Sequence, residues 1–313
     1  METIIKELGV IIYATLMFAP PLIYAALGSC FSEVSGVVNI GIEGMMTAGA
    51  FTGCAVAFFT GNPLLGFLAA GLAGAFFGLL HAIASVNFGA NQVISGTAIN
   101  MLAPAMAIMM AYSIFGSSDT TPLPEASQIP VLFKGVFDTN TTFGNFMKNV
   151  FSTYVTTYLV FILVIVCWLI FYITRFGLRL RACGEHPLAC ETLGIDVMKL
   201  RILCVVISGF LSGLGGAIMT MAITNQFRPI SIVGQGFIAI AAVIFGKFKP
   251  QSALTGCLLF GFCTGLKIVL GSQIVSAQIV SMIPYIVTII ALVLFVGQAH
   301  IPKANGVPYI KAR

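Results

Sequence analysis

Residues 175–201, RFGLRLRACGEHPLACETLGIDVMKLR, collect Arg175, Arg179, Arg181, Lys199 and Arg201 around Glu185, His186, Glu191 and Asp196. These are five of the chain's 15 basic residues, in a sequence that is otherwise mostly apolar. Between the charges lies helix punctuation. Pro187 suits a first helical position and Gly194 the residue just past a helix end. The spacing predicts a helix of roughly two turns from Pro187 to Leu193, with Glu185 and His186 leading into it and Ala189 and Glu191 on it. Leu188 and Leu193 are its strongest apolar side chains. Isolated helices need about 12–15 residues to persist in water, so this one needs a surface to lie on. That surface is either the rest of this chain or a separate protein; the plainer reading is an ordinary basic loop.

A second set of polar residues stands inside apolar runs. After Glu43 the apolar run Gly44–Phe59 is only 16 residues long, short of the roughly 20 that cross a bilayer. Either Asn39 and Glu43 lie within the membrane region, or 36–44 is a broken or re-entrant piece. A carboxylate in the core costs about 2.5–3.5 kcal/mol on insertion scales and is by default a candidate for function. The alternative places Glu43 at the inner interface, capping the helix that follows. Asn100 falls near the middle of its run, with Gln92 and Ser95 nearer the inside; contact with a solute and a hydrogen bond between helices both fit. Phe51, Phe237 and Tyr112 have rings able to stack on a base, or simply to pack or face lipid.

Other chemistries find little support. The eight cysteines lie mostly inside apolar runs, with no C-x-x-C or Cys/His ligand spacing, and read as small hydrophobes rather than disulfides or a metal site. His81, His186 and His300 are too scattered for a membrane-embedded enzyme. There is no Gly-x-x-x-x-Gly-Lys-Ser/Thr phosphate loop. The expectation is a chain that is not an enzyme and binds no cofactor, metal or nucleic acid itself.

The elements that must position these residues are membrane helices. Charged residues are 8% of the 313, hydrophobic residues 58% and mean hydropathy is +1.04, against about 25% charged in a soluble domain. Apolar runs occupy 8–31, 36–59, 64–85, 92–115, 153–174, 202–223, 231–246, 252–270 and 281–297. This predicts an all-α polytopic membrane protein of about nine transmembrane helices, within a range of 8–10, forming one domain over 1–313. The run at 231–246 is short. Small-residue spacings such as Gly49/Gly53, Gly74/Gly78 and Gly209/Gly213 suit close helix contacts in lipid. The basic residues of 175–201 assign that loop to the cytoplasm. Alternation then puts 116–152 outside, the N-terminus outside and the C-terminus inside. Lys267 falls near an outer span end, where snorkelling explains it.

The loop also carries a resemblance. Gly177, Arg181, Ala182, Gly184, Pro187, Ala189, Gly194, Ile195 and Lys199 are similar to the cytoplasmic loop of membrane permeases in ABC importers for branched-chain amino acids, simple sugars and nucleosides. His186 and Cys190 depart from that pattern, where Asn and Ala are usual. GQGFIAIAAVIFGKFKP (234–250) resembles a further segment of the family. SGVVNIGIEGMMTAGAF (35–51) and NQVISGTAIN (91–100) resemble the nucleoside subgroup.

The resemblance implies a type II-like permease subunit of a bacterial importer in the cytoplasmic membrane, moving nucleosides by alternating access. It implies a coupling helix on a cytoplasmic ATP-binding subunit, which would hold the ATP and Mg. It further implies a second, paralogous permease and an extracellular solute-binding lipoprotein. A simple-sugar (ribose-like) permease is the alternative within the family, and an ion-coupled secondary transporter the alternative outside it.

Overall fold

The computed structural model describes residues 2–137, 141–270, 282, 286, 289–290 and 301–309. Six of its helices are long and apolar enough to cross a membrane. They belong to α1 (Glu2–Val34), α2 (Ile42–Thr60), α3 (Pro63–Ala82), α4 (Gln92–Phe115), α6 (Val155–Ile173) and α9 (Val197–Ile218). Between α4 and α6 lies the short α5 (Thr142–Phe151); α7 (Arg175–Glu185) and α8 (Pro187–Thr192) join α6 to α9. The described helices close with α10 (Gln235–Phe245) and α11 (Pro250–Leu270). Eight of the nine apolar runs thus hold a helix, while 281–297 falls largely outside the described residues, as does the Lys267 side chain.

The centre of the bundle is a glycine seam. A Cβ on Gly216 of α9 would run into the Met46 carbonyl of α2, and one on Gly74 of α3 into the Gly209 carbonyl. Three helices therefore approach backbone to backbone, as small residues permit where lipid tails give no hydrophobic drive to association. Around the seam α1 packs on α9, α10 and α11, burying Ile23, Leu27 and Phe31 with Ile218, Ala242 and Phe260.

Contacts sort the connections to two ends. At one end Val34, the α7–α8 loop, Arg201 and residues 301–309 meet, with Ala304 N–H donating to the Gly184 carbonyl at 2.8 Å. At the other, Thr120 N–H donates to Phe227 O (3.0 Å), Leu123 N–H to Asn225 O (2.8 Å) and Leu132 N–H to Thr153 O (2.9 Å). The 116–152 connection holds a 3-10 turn at Glu125–Ser127 and α5, capped by the Thr141 hydroxyl.

Two elements depart from simple spans. Residues 35–41 are irregular, and α2 begins only at Ile42. Asn39 meets Ser208 and Gly49 meets Gly213, so this start lies level with the middle of α9. The run at 231–246 gives an 11-residue helix of about 16 Å, half the thickness of a hydrocarbon core. It is preceded by irregular backbone from Thr224 to Gly234.

Candidate functional site

Irregular backbone at membrane depth needs partners for its N–H and C=O groups, because lipid supplies none. Side chains from α3 and α4 provide them. Gln92 Oε1 accepts from Val38 N–H at 2.7 Å. His81 places Nε2 3.1 Å from the Val38 carbonyl and Nδ1 2.9 Å from Ser95 Oγ; the carbonyl can only accept, so Nε2 carries the proton. Asn100 is bidentate, with Nδ2 donating to Ile40 O at 2.9 Å and Oδ1 accepting from Gly44 N–H at 2.8 Å. Asn39, fully buried, donates from Nδ2 to Ser208 Oγ at 3.0 Å. Four of the expected pathway residues, Asn39, Gln92, Ser95 and Asn100, are therefore brought together around one break. His81, read from sequence only as one of three scattered histidines, belongs with them.

Glu43 is in the first turn of α2, but its carboxylate serves another helix. Oε1 accepts from Gly234 N–H at 2.6 Å and Oε2 from Gly236 N–H at 3.1 Å. Gly234, in the left-handed region at φ 78°, is the residue that opens α10. Helix N-termini present unpaired N–H groups and a positive dipole end. Here the starts of α2 and α10 meet, and one carboxylate lies between them, half-buried. Gly236 makes the approach possible, since a Cβ there would lie 2.6 Å from Glu43 N. The carboxylate thus caps the start of α10 rather than the helix that Glu43 itself begins. Phe237, next along α10, is 50% exposed, whereas Phe51 is buried edge-on against Phe227.

The second cluster is the polar loop. Thr174 opens α7 by accepting from Gly177 N–H at 3.2 Å, and Arg181 lies 5.2 Å from the Tyr172 ring centre. His186 ends α7 through its N–H to Ala182 O, and its carbonyl starts α8 by accepting from Cys190 N–H. Pro187 occupies the first turn, and α8 closes where Gly194 takes φ 78°. The helix ends at Thr192, one residue short of the expected Leu193, and α9 begins within the loop, capped by Asp196.

Cys190 is the buried face of α8, resting on Cys183 and Val197. Burial, then the Cys190 thiol beside it, pushes the Cys183 thiol up to about 12. The opposite face is open: Leu188 is 61% exposed, Leu193 80%, and Ala189 and His186 are exposed with them. Glu191 accepts from the Tyr309 hydroxyl, and Glu185 is half-buried at the end of α7. Burial, then that hydrogen bond to Glu191, pushes the Tyr309 phenol up to about 12. No cluster of three potential metal ligands occurs among the described residues.

Comparison with known proteins places this geometry. The family described as branched-chain amino acid transport system / permease component matches residues 11–292. The guanosine ABC transporter permease protein NupQ of Bacillus subtilis is 44% identical across 99% of both chains. The nucleoside ABC transporter permease protein NupC of Lactococcus lactis is 40% identical, again across 99% of both. A nucleoside ABC transporter permease protein from the same organism, NupB, is 25% identical over 94% of this chain and 82% of its own. With a match over most of its length and six helices fit to cross a membrane, the chain belongs to the branched-chain amino acid transport system permease family and is a multi-pass membrane permease.

Proposed function

We propose that this permease carries nucleosides inward as one subunit of a bacterial ATP-driven importer of the cytoplasmic membrane. The observation that carries the reading is α8, a helix too short to stand alone whose apolar Leu188, Ala189 and Leu193 face outward at the charged end of the bundle. Such a face suits a groove on a separate cytoplasmic ATP-binding subunit, which would hold the ATP and Mg. This puts 175–201, Glu33 and 301–309 inside, and 116–152 and the N-terminus outside. Relatives named for guanosine and nucleosides, matching end to end, support the substrate class. Two distinct nucleoside permeases in one organism support a partner permease of different sequence. An extracellular solute-binding lipoprotein would deliver the solute to 116–152 and the 224–228 connection. The break at 35–41 and the start of α10 lie on the path, with Asn39, Glu43, Gln92, Ser95, Asn100 and Phe237 around it.

The test is Leu188→Asp. A buried leucine side chain contributes about 1.5–3 kcal/mol, so the ATPase should bind at least about tenfold more weakly, and guanosine uptake should fall with it. Thermal stability of the isolated permease should be unchanged, because Leu188 touches little of its own chain. Full ATPase co-purification and uptake in the variant would refute the docking role. Uptake of ribose but not guanosine by the wild type would refute the substrate.

A further inference from the structure

Residues 301–309 run through the junction between α8 and the body of the permease. Arg201, at the start of α9, is 1% exposed. Its Nε donates to Ser35 O at 3.1 Å and its Nη1 to Val307 O at 3.1 Å, and the guanidinium lies 5.8 Å from the Tyr309 ring centre. Asn305 donates to Glu33 at 2.6 Å. The tail is thereby fixed to the last turn of α1 and to the first residue of the irregular segment. From that pedestal the Tyr309 hydroxyl donates to Glu191 of α8.

Beside the contact is a pocket of about 180 Å³ open to the surface, bordered by Glu191, Gly194, Asp196, Val197, Met198 and Tyr309. Cys190 packs on Val197, but the Glu191–Gly194 end of α8 borders this pocket rather than a packed side chain. A six-residue helix with Gly194 at its end and an open pocket beside that end has room to tilt. A short strut runs from Glu191 to Ser35: the Tyr309 hydroxyl bonds Glu191, the Tyr309 ring lies against the Arg201 guanidinium, and Arg201 bonds Ser35 O. Ser35 opens the segment 35–41 that Asn100, Gln92 and His81 hold at mid-bundle.

We infer that Tyr309 is a positioning residue for coupling: with Arg201 beneath it, it ties α8 to segment 35–41, so that tilting of α8 moves the mid-bundle break. This rests on the reading of α8 as the ATPase contact. Tyr309 touches neither solute nor nucleotide in this scheme, and its loss leaves both the docking face and the path intact.

The test uses the full importer in proteoliposomes, with permeases, ATPase and binding protein, measuring guanosine uptake and ATP hydrolysis together. Tyr309→Phe removes one oxygen and keeps the ring on Arg201. The ATPase should remain bound and active, while guanosine moved per ATP falls by about tenfold, the effect of losing one hydrogen bond to a carboxylate. Glu191→Gln should lower the same ratio, and the double variant should be no worse than either single one, since both act through one bond. An unchanged ratio in Tyr309→Phe overturns the inference, as does additive loss in the double variant. Parallel loss of ATPase binding and uptake also overturns it, for that is a structural role. A wild-type complex whose ATPase ignores guanosine instead refutes the reading beneath it.

Discussion

Asn100 offers a sharp test of what the polar residues at the break do. Asn100→Leu keeps the branching at Cγ and removes both polar atoms. Ile40 O and Gly44 N–H then lose partners at 2.9 and 2.8 Å. An orphaned buried backbone group costs about 1–3 kcal/mol, and two cost about 2–6 kcal/mol. A side-chain hydrogen bond between membrane helices averages only about 0.6 kcal/mol, because the reference state finds other partners. Here Ile40 sits in irregular backbone without a helical ladder to fall back on, so the larger figure governs. Asn100 is half-buried, which sets the expected loss near the lower bound, about 2–3 kcal/mol. All eight cysteines are free and buried, so a thiol-reactive dye reports unfolding directly in detergent, and titration with SDS converts it to free energy. A variant within about 0.5 kcal/mol of wild type, the usual range for inconsequential substitutions, would refute the backbone role. If such a variant also showed raised KM for guanosine, Asn100 would instead be a solute contact.

Two further outcomes follow from the same structure. Gly216→Ala should lower the unfolding midpoint sharply by wedging α2 from α9 at the Met46 carbonyl. Gly61→Ala, at an open turn with φ 68°, should cost only about 1 kcal/mol of backbone strain; comparable losses at both sites would contradict the close crossing. The second concerns pH. The Tyr309 phenol, ordinarily near 10, and the Cys183 thiol, ordinarily near 9, both rise to about 12 in the fold. Each holds its proton more tightly when folded, so its contribution is complete below the unfolded value and falls away as pH rises through 12. Cys183 should therefore resist maleimide at pH 8 in the folded protein, and SDS unfolding should be independent of these groups from pH 6 to 8. Rapid Cys183 labelling at pH 8 would contradict that placement.

The helices of the bundle were largely legible because hydropathy over about 20 residues is a strong signal. The break was legible for a related reason: Glu43 and Asn39 leave too little apolar chain after them to cross. Pro187 and Gly194 marked α8 because both residue types have backbone demands that survive without context. What held these features in place was not legible. Glu43 bonds to backbone N–H groups of Gly234 and Gly236, and a backbone donor carries no residue identity, so nothing in the local sequence names the partner. Arg201 counts among the loop's topology charges, yet it is buried and works through carbonyls of Ser35 and Val307. Glu33 reads as a plain turn residue and is buried against Asn305, 272 positions away. The tail at 301–309 has no motif; only its packing gives it a role.

The joint at Glu43 also sets an order of assembly. Ser35, Gly36 and Val37 bond back to α1, but Val38, Asn39 and Ile40 leave the ribosome before the side chains that satisfy them. His81 and Gln92 follow with α3 and α4, then Asn100; Ser208 lies 169 positions after Asn39, and Gly234 lies 191 after Glu43. At about 5–20 residues per second of synthesis, the carboxylate waits about 10–40 s for its last partner. Through that interval the Glu43 carboxylate lacks the two backbone donors it has in the finished fold. In this permease α2 can pack on α3, α4 and α9 early, but its one carboxylate at the break is satisfied only when α10 arrives.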